Sequence, residues 1–177
     1  MLDISVSYNR YKFLGNEFLT WLWFMIENDQ AFFKKIDNEF KSLEIGDKIV
    51  FENRKKDSLE IVSIKGDNAG REEGKLSLQK GSVVTELNLL YKSGPGKWRF
   101  SVKGESFGIA GLKTPETGRV ETEDDMEGAI LEKIFLVDRM LIFFQPLFKD
   151  FVRLRISGQW RRDSVPMIKK WINSTAS

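Results

Sequence analysis

The chain has 177 residues, of which 41% are apolar and 31% charged, and its net charge is +2. These values are typical of one globular domain and exclude a chain too polar to bury a core. Cysteine and histidine are both absent, which excludes disulfides, thiolate nucleophiles, histidine general bases and the common zinc sites. An oxygen-only Mg²⁺ or Ca²⁺ site remains open; no cofactor is predicted.

The N-terminal segment shows no secretory pattern. No part of the chain contains an uninterrupted apolar run of 18 residues. We therefore expect a cytoplasmic protein without a membrane partner. Leu2 to Tyr8 alternates between apolar and polar residues, which predicts a short strand. Gly15-Asn16 then predicts a helix start with Asn16 as N-cap.

The run from Phe18 to Ile26 is apolar around almost the whole helical circumference. Such a helix is either buried in the core or packed against another subunit. Both interpretations stay open, and the second predicts a homo-oligomer formed through this helix.

The next segments predict a helix followed by a hairpin. Phe32, Phe33, Ile36 and Phe40 recur at helical spacing, so Gln30 to Leu43 is predicted to be an amphipathic helix that ends before Gly46-Asp47. Two strands are expected next, Lys48 to Arg54 and Ser58 to Lys65, joined by a polar tip at Lys55 to Asp57.

The segment from Gly66 to Gly81 is ambiguous between a loop and a short helix. Part of it, Gly70 to Lys75, looks like a phosphate-binding loop. However, Ala69 and Leu76 stand where that motif needs a glycine and a hydroxyl residue, which argues against nucleotide binding.

Three strands follow, Ser82 to Lys92, Lys97 to Lys103 and Phe107 to Leu112, with a tight turn at Ser93-Gly94-Pro95-Gly96 between the first two. Within the middle strand, Lys97, Arg99 and Lys103 are separated by even numbers and are predicted to share one face. Trp98 and Phe100 should point into the core. The basic face is either a phosphate-binding surface or an ordinary solvated one.

A loop from Thr114 to Thr122 leads into the longest helical pattern, which begins at Glu123. The acidic residues at its start, Glu121, Glu123, Asp124, Asp125 and Glu127, either suit the helix dipole or hold a divalent cation. Pro146 predicts a kink or break near Phe143 to Gln145. Gln159 to Ile172 is expected to form a last short helix.

Positive charge is concentrated in the C-terminal part of the chain. From Lys149 onward there are seven basic and two acidic residues, a net of +5, whereas the other 21 basic and 24 acidic residues give −3. The basic residues are Lys149, Arg153, Arg155, Arg161, Arg162, Lys169 and Lys170. They form either a solvated helical surface or a patch for a polyanion.

Several short runs resemble the C-terminal part of the RdgC family of bacterial recombination-associated, nucleoid-linked proteins. The main one is Lys80-Gly81-Ser82-Val83-Val84-Thr85-Glu86-Leu87-Asn88-Leu89, which is similar to a strand of that family. It follows Arg71-Glu72-Glu73 and precedes a Leu112-Lys113 step and an apolar helix at Ala129 to Val152. The Leu-Gly-x-Glu-Phe-Leu-Thr-Trp-Leu-Trp pattern within Phe13 to Phe24 is also similar to one in family relatives.

The resemblance implies an α+β fold, no enzymatic activity, self-association and sequence-independent binding of double-stranded DNA that modulates recombinase access. It also implies a helix from about Ala69 to Lys80, and Lys65 matches a lysine that precedes this helix in the family. Taken with the charge pattern, the predicted nucleic-acid-binding residues are Lys65, Lys97, Arg99, Lys103, Arg153, Arg155, Arg161, Arg162, Lys169 and Lys170.

The sequence therefore predicts one compact α+β domain, with an antiparallel sheet, helices packed against it and a long, Pro-interrupted C-terminal helical segment. The leading functional expectation is a non-enzymatic DNA-binding protein of recombination or the nucleoid. One alternative is a protein-interaction or assembly module of the same fold that does not bind DNA. Another is an enzyme that uses only carboxylates and lysines, near Asp124 and Asp125.

Overall fold

The computed structural model describes residues 4–55, 58–66, 69–118 and 122–174. The helices are α1 (Ile4–Asn28), α2 (Gln30–Lys34), α3 (Ala69–Gln79), α4 (Glu123–Ile156) and α5 (Val165–Asn173), with a π-helical segment at Trp160–Ser164 before α5. The strands are β1 (Phe40–Lys55), β2 (Ser58–Lys65), β3 (Val83–Ser93), β4 (Gly96–Lys103) and β5 (Gly108–Lys113). The predicted α+β class is confirmed.

The five strands form one antiparallel sheet in the order β2-β1-β3-β4-β5. Its central hairpin, β3–β4, begins at the pair Ser93↔Gly96, and Gly94 takes a positive φ of 50°, as the predicted turn requires. Trp98 and Phe100 are buried as expected. One face of the sheet therefore carries the core and the other carries charged residues.

The helices cover the apolar face of the sheet. Helix α1 lies against β3, and its side chains Phe18, Leu22 and Trp23 are fully buried. The C-terminal α5 closes the same side, because the Trp171 ring packs edge-on against Trp23 with 5.3 Å between ring centroids. The last helix predicted from sequence is confirmed as the π-helical segment followed by α5.

The predicted N-terminal strand is wrong for its described part. Residues from Ile4 onward belong to α1, while Leu2 and Asp3 lie outside the described residues. Asn16 is consequently inside the helix and is not its N-cap. A helix satisfies the backbone hydrogen bonds within the segment, whereas a strand would need a free sheet edge.

The predicted helix from Gln30 to Leu43 is also wrong in its second half. Only α2 is helical, and from Phe40 the chain is already in β1, paired with Ser93. The Gln30 side chain fixes this change of direction, since its amide nitrogen donates to the carbonyls of Ile26 at 2.7 Å and Leu43 at 2.8 Å. Gly46-Asp47 lies within β1, at a shift in its register with β3.

The β1–β2 hairpin is confirmed, although Lys56 and Asp57 of its predicted tip lie outside the described residues. The ambiguous segment contains helix α3 over Ala69–Gln79, the position that the family resemblance implies. Strands β3, β4 and β5 lie within one residue of their predicted bounds.

Helix α4 continues through Pro146 as one helix of 34 residues, so the predicted break does not occur. Proline removes one backbone hydrogen bond, but the helix is held on both sides of it by the buried side chains Phe143, Phe144, Leu147 and Phe151. No helix in the described part of the chain is long and apolar enough to cross a membrane.

Candidate protein-interaction surface

Helix α4 carries a row of large apolar side chains that the other described residues leave mostly uncovered. Each is between 53% and 71% exposed. We call these residues the α4 face: Met126, Ile130, Leu131, Ile134, Phe135 and Ile142. Single exposed apolar residues are ordinary, but a contiguous group of this size marks an interaction site.

The C-terminal half of α4 is anchored firmly in the core. The Phe143 ring stacks on Tyr91 with 4.2 Å between centroids and 8° between ring planes. Phe144 meets Phe18 edge-on at 5.8 Å, and Leu147 is fully buried. From Met126 to Phe135 every residue except Ala129 is exposed, so the first half of the helix extends beyond the core.

The N-terminal half of α4 is held by polar contacts. The Trp98 indole N–H donates to the Leu136 carbonyl at 2.9 Å. A capping box closes the first turn, because the Asp125 N–H donates to the Thr122 hydroxyl at 3.2 Å and the Thr122 N–H donates to the Asp125 carboxylate at 2.9 Å. The helix that presents the α4 face is therefore already formed without a partner.

Two apolar grooves flank the α4 face. One has a volume of about 510 Å³ and lies between α4 and the loop that contains Thr117; Met126, Ile130 and Ile134 line it. The other has a volume of about 350 Å³ and lies between α4 and the α2–β1 corner, where Phe135 and Ile142 line it. The surface is thus a ridge with a groove on either side.

A polar cluster lies beneath the second groove. The Tyr91 hydroxyl donates to the Asp37 carboxylate at 2.5 Å, and the Arg139 guanidinium contacts Glu39 and donates to the Ser93 hydroxyl at 3.1 Å. These bonds tie the middle of α4 to the α2–β1 corner.

The cluster has a fixed protonation state at neutral pH. Burial acts to raise the pKa of Asp37, but hydrogen bonds from Ser93 and Tyr91 outweigh it and hold that pKa below its usual value. Burial, together with the hydrogen bond to Asp37, raises the pKa of Tyr91 well above its usual value. A carboxylate and a phenol that are already bonded to each other act as structural groups, not as a free acid and base.

The predicted basic face of β4 exists but is neutralised in part. Lys97, Arg99 and Lys103 do lie on the face opposite Trp98. The Arg99 guanidinium, however, bonds to Asp47 at 3.0 Å. Neighbouring lysines on the same face are also paired, Lys48 with Glu86 at 3.0 Å and Lys92 with Glu44 at 2.9 Å. Lys65, at the end of β2, is exposed on this same face.

Of the predicted basic residues of the C-terminal part, some form ion pairs and others do not. Arg153 pairs with Asp150, Arg162 with Asp163, and Arg155 with Glu17. Arg155 also lies over the Trp160 ring, 5.5 Å from its centroid, and so helps to attach α4 to the π-helical segment. By contrast, Arg161, Lys169 and Lys170 are exposed, and no carboxylate of the described residues pairs with them.

The ten predicted residues do not form one surface. Those on the strands, Lys65, Lys97, Arg99 and Lys103, lie on the solvent face of the sheet. Those of the C-terminal part lie on the helical side, where Trp171 packs against Trp23. The core of the protein separates the two groups.

Most of the apolar run of helix α1 is used within the chain. From Phe18 to Ile26, six of the nine residues are buried within the chain, so the core interpretation is confirmed. The exposed apolar surface lies on α4 instead. Ile130 and Ile134 belong to one apolar stripe of the helix that the sequence predicts from Ala129 to Val152.

One signal in the sequence could have revealed this surface. Leu131, Phe135 and Ile142 form a second apolar stripe beside the first, so the first half of α4 is apolar over more of its circumference than one sheet contact can cover.

Comparison with known protein families, curated sequences and solved structures finds no significant match for this chain.

Proposed function

We propose that this chain is a non-enzymatic assembly module that binds a protein partner through the α4 face. The observation that carries the proposal is the exposure of six large apolar side chains on one preformed helix. If each presents roughly 100 Å², together they present about 600 Å², the upper end of the largest apolar patch on an ordinary monomer. Burial of that area is a substantial source of binding free energy.

The rigidity of α4 favours this role. Its first turn is capped by Thr122 and Asp125, and its middle is bonded to Trp98 through the Leu136 carbonyl and to Ser93 through Arg139. A partner that docks here does not have to order the helix, so less of the binding free energy is lost to conformational entropy.

Sedimentation of the protein in an extract of the cells that produce it tests this proposal. We expect the wild-type chain to sediment as a complex larger than its 20.5 kDa mass and the Ile134→Glu variant to sediment as the free chain. Met167→Glu is a matched control, since Met167 is a 51% exposed apolar residue on α5, away from the α4 face. A wild-type chain that sediments alone, or a complex unaffected by Ile134→Glu, would contradict the proposal.

DNA binding is the second candidate function, and one observation favours it. Lys169 and Lys170 are exposed on the side of the final helical segment that faces away from the buried Ile168 and Trp171. Cations held on one outward helical face suit the phosphates of a duplex without reading its bases. The family resemblance, with its association with recombination and the nucleoid, points to the same ligand.

Fluorescence anisotropy of a labelled random-sequence duplex tests the second candidate. We expect binding that weakens steeply as salt rises, because counterions are released from the phosphates. The double variant Lys169→Glu/Lys170→Glu should bind more weakly and show a shallower salt dependence, whereas Lys97→Glu, on the opposite side of the molecule, serves as the comparison. No binding at low salt would eliminate this candidate.

A further inference from the structure

We infer that the partner bound by the α4 face is a second copy of this chain, whose α4 packs antiparallel to the first about a two-fold axis near Leu136. The inference rests on the proposed function and specifies its partner. It follows from the symmetry of the exposed side of α4, from the shape of the surface and from the placement of charge along the helix.

The hydrogen bond from Trp98 fixes the rotation of α4 about its own axis, because the Leu136 carbonyl that accepts it faces the sheet. The side of α4 opposite Leu136 therefore faces outward. At 100° per residue, positions equally far before and after Leu136 lie symmetrically about this outward direction. A two-fold axis there sets Ile130 against Ile142 of the other copy.

The shape of the surface is self-complementary. The ridge formed by Phe135 and Ile142 protrudes beside the groove of about 350 Å³, and a groove of about 510 Å³ runs along the other side of the same helix. Two identical ridges that cross antiparallel can each enter a groove of the other copy. With the surrounding rim, the area of the α4 face approaches the roughly 800 Å² per partner of a standard interface.

Charge along α4 complements itself only in the antiparallel direction. The exposed acids Glu123 and Glu127 lie in the first two turns, whereas the exposed cations Lys149 and Arg153 lie near the other end, the second of them paired with Asp150. The axis at Leu136 places Glu123 opposite Lys149 of the other copy. A parallel pair would instead bring acid against acid at one end and cation against cation at the other.

Asp138 limits the strength of this pairing. It is exposed and lies close to the axis, where association would remove its carboxylate from water. Burial of a charge is costly, so Asp138→Asn should tighten the dimer, by about tenfold if the substitution recovers 1.4 kcal/mol. An unchanged or weaker dimer in this variant would count against the position of the axis.

Cysteine cross-linking tests both the partner and the direction, because the natural chain contains no cysteine. Glu127→Cys and Gln145→Cys change exposed residues at equal distances from Leu136, and neither should affect folding. In the antiparallel dimer neither variant can form a disulfide with itself, whereas an equimolar mixture should form a covalent heterodimer on oxidation. A disulfide needs Cα atoms within about 7 Å, so this pattern reports the register.

Each other outcome overturns the inference in a recognisable way. Self-linked dimers of both single variants would show parallel helices. Absence of any cross-link, together with a monomeric mass for the purified wild-type chain, would exclude a second copy. If the extract experiment still shows a complex that depends on Ile134, the partner is another protein, and the proposed function stands while this inference fails.

Discussion

Gly15 lies where α1 approaches the backbone of the β4–β5 turn. A Cβ added there would lie 1.7 Å from the Gly104 carbonyl oxygen, which cannot move aside like a flexible side chain. The sequence suggests a helix start at this position, but the structure shows a point of close backbone contact. A side chain at position 15 would force α1 away from the sheet.

Two glycine-to-alanine substitutions distinguish the effect of this contact on stability from the effect of helix propensity. Gly15→Ala should lower the free energy of unfolding by roughly 1–3 kcal/mol, the usual cost of overpacking. Gly128→Ala is the matched control on α4, where nothing lies near the new methyl group, and it should raise stability by up to about 1 kcal/mol. Urea denaturation of both variants measures the difference, and a stabilised Gly15→Ala would contradict the packing described.

Asp37 makes part of the stability depend on pH. Its pKa is below the ordinary value of 3.8 in the folded protein, so the carboxylate is favoured by folding. This contribution is present above the unfolded pKa and is lost as the pH falls through the folded one. The stability difference between wild type and Asp37→Asn should thus be largest near neutral pH and shrink in acid below 3.8. Urea midpoints across that range measure it; a constant difference would be inconsistent with the hydrogen bonds from Tyr91 and Ser93.

At the scale of elements, the capping box decides how firmly the exposed half of α4 is formed. Thr122→Ala removes the side-chain oxygen that accepts from Asp125, a loss of about 1 kcal/mol for a typical N-cap. We expect faster amide exchange in the first turns of α4, weaker self-association and little change in the core. Hydrogen–deuterium exchange with and without the substitution measures this effect, and equal protection of the first turn would show that the cap is unimportant.

Elements governed by local signals could be predicted from the sequence. The turn at Ser93-Gly94-Pro95-Gly96 sets the β3–β4 register on its own, and the alternation along β4 separates Trp98 from Lys97. By contrast, the start of β1 depends on Phe40 meeting Ser93, which is distant in sequence. Continuation of α4 past Pro146 likewise depends on burial of Phe143 and Leu147 against other elements.

The candidate site was predictable only in part, for the same reason. Periodicity reveals that α4 is apolar, but it does not show which stripe the sheet covers. The charge pattern reveals basic residues, but ion pairs such as Arg99 with Asp47 join residues far apart in sequence. Sequence spacing therefore placed Lys97, Arg99 and Lys103 on one face correctly, yet it could not reveal that the C-terminal cations lie on the other side of the core.

At the scale of the whole molecule, the two candidate functions are compatible. The sheet face carries several paired charges, the α4 face is apolar, and the final helical segment presents Lys169 and Lys170, with which no carboxylate of the described residues pairs. A dimer formed through α4 would carry two copies of that cationic segment. If it binds DNA, two sites on one assembly would raise the apparent affinity without any new contact.

Sedimentation equilibrium of the purified chain tests the central claim, that α4 joins two copies of this chain. We predict that the wild-type protein has about twice its 20.5 kDa chain mass at micromolar concentration. Ile134→Glu should be monomeric with an unchanged circular dichroism spectrum, and Met167→Glu should remain dimeric. A wild-type mass of 20.5 kDa at every concentration, or a dimer that Ile134→Glu leaves intact, would contradict assembly of this chain through α4.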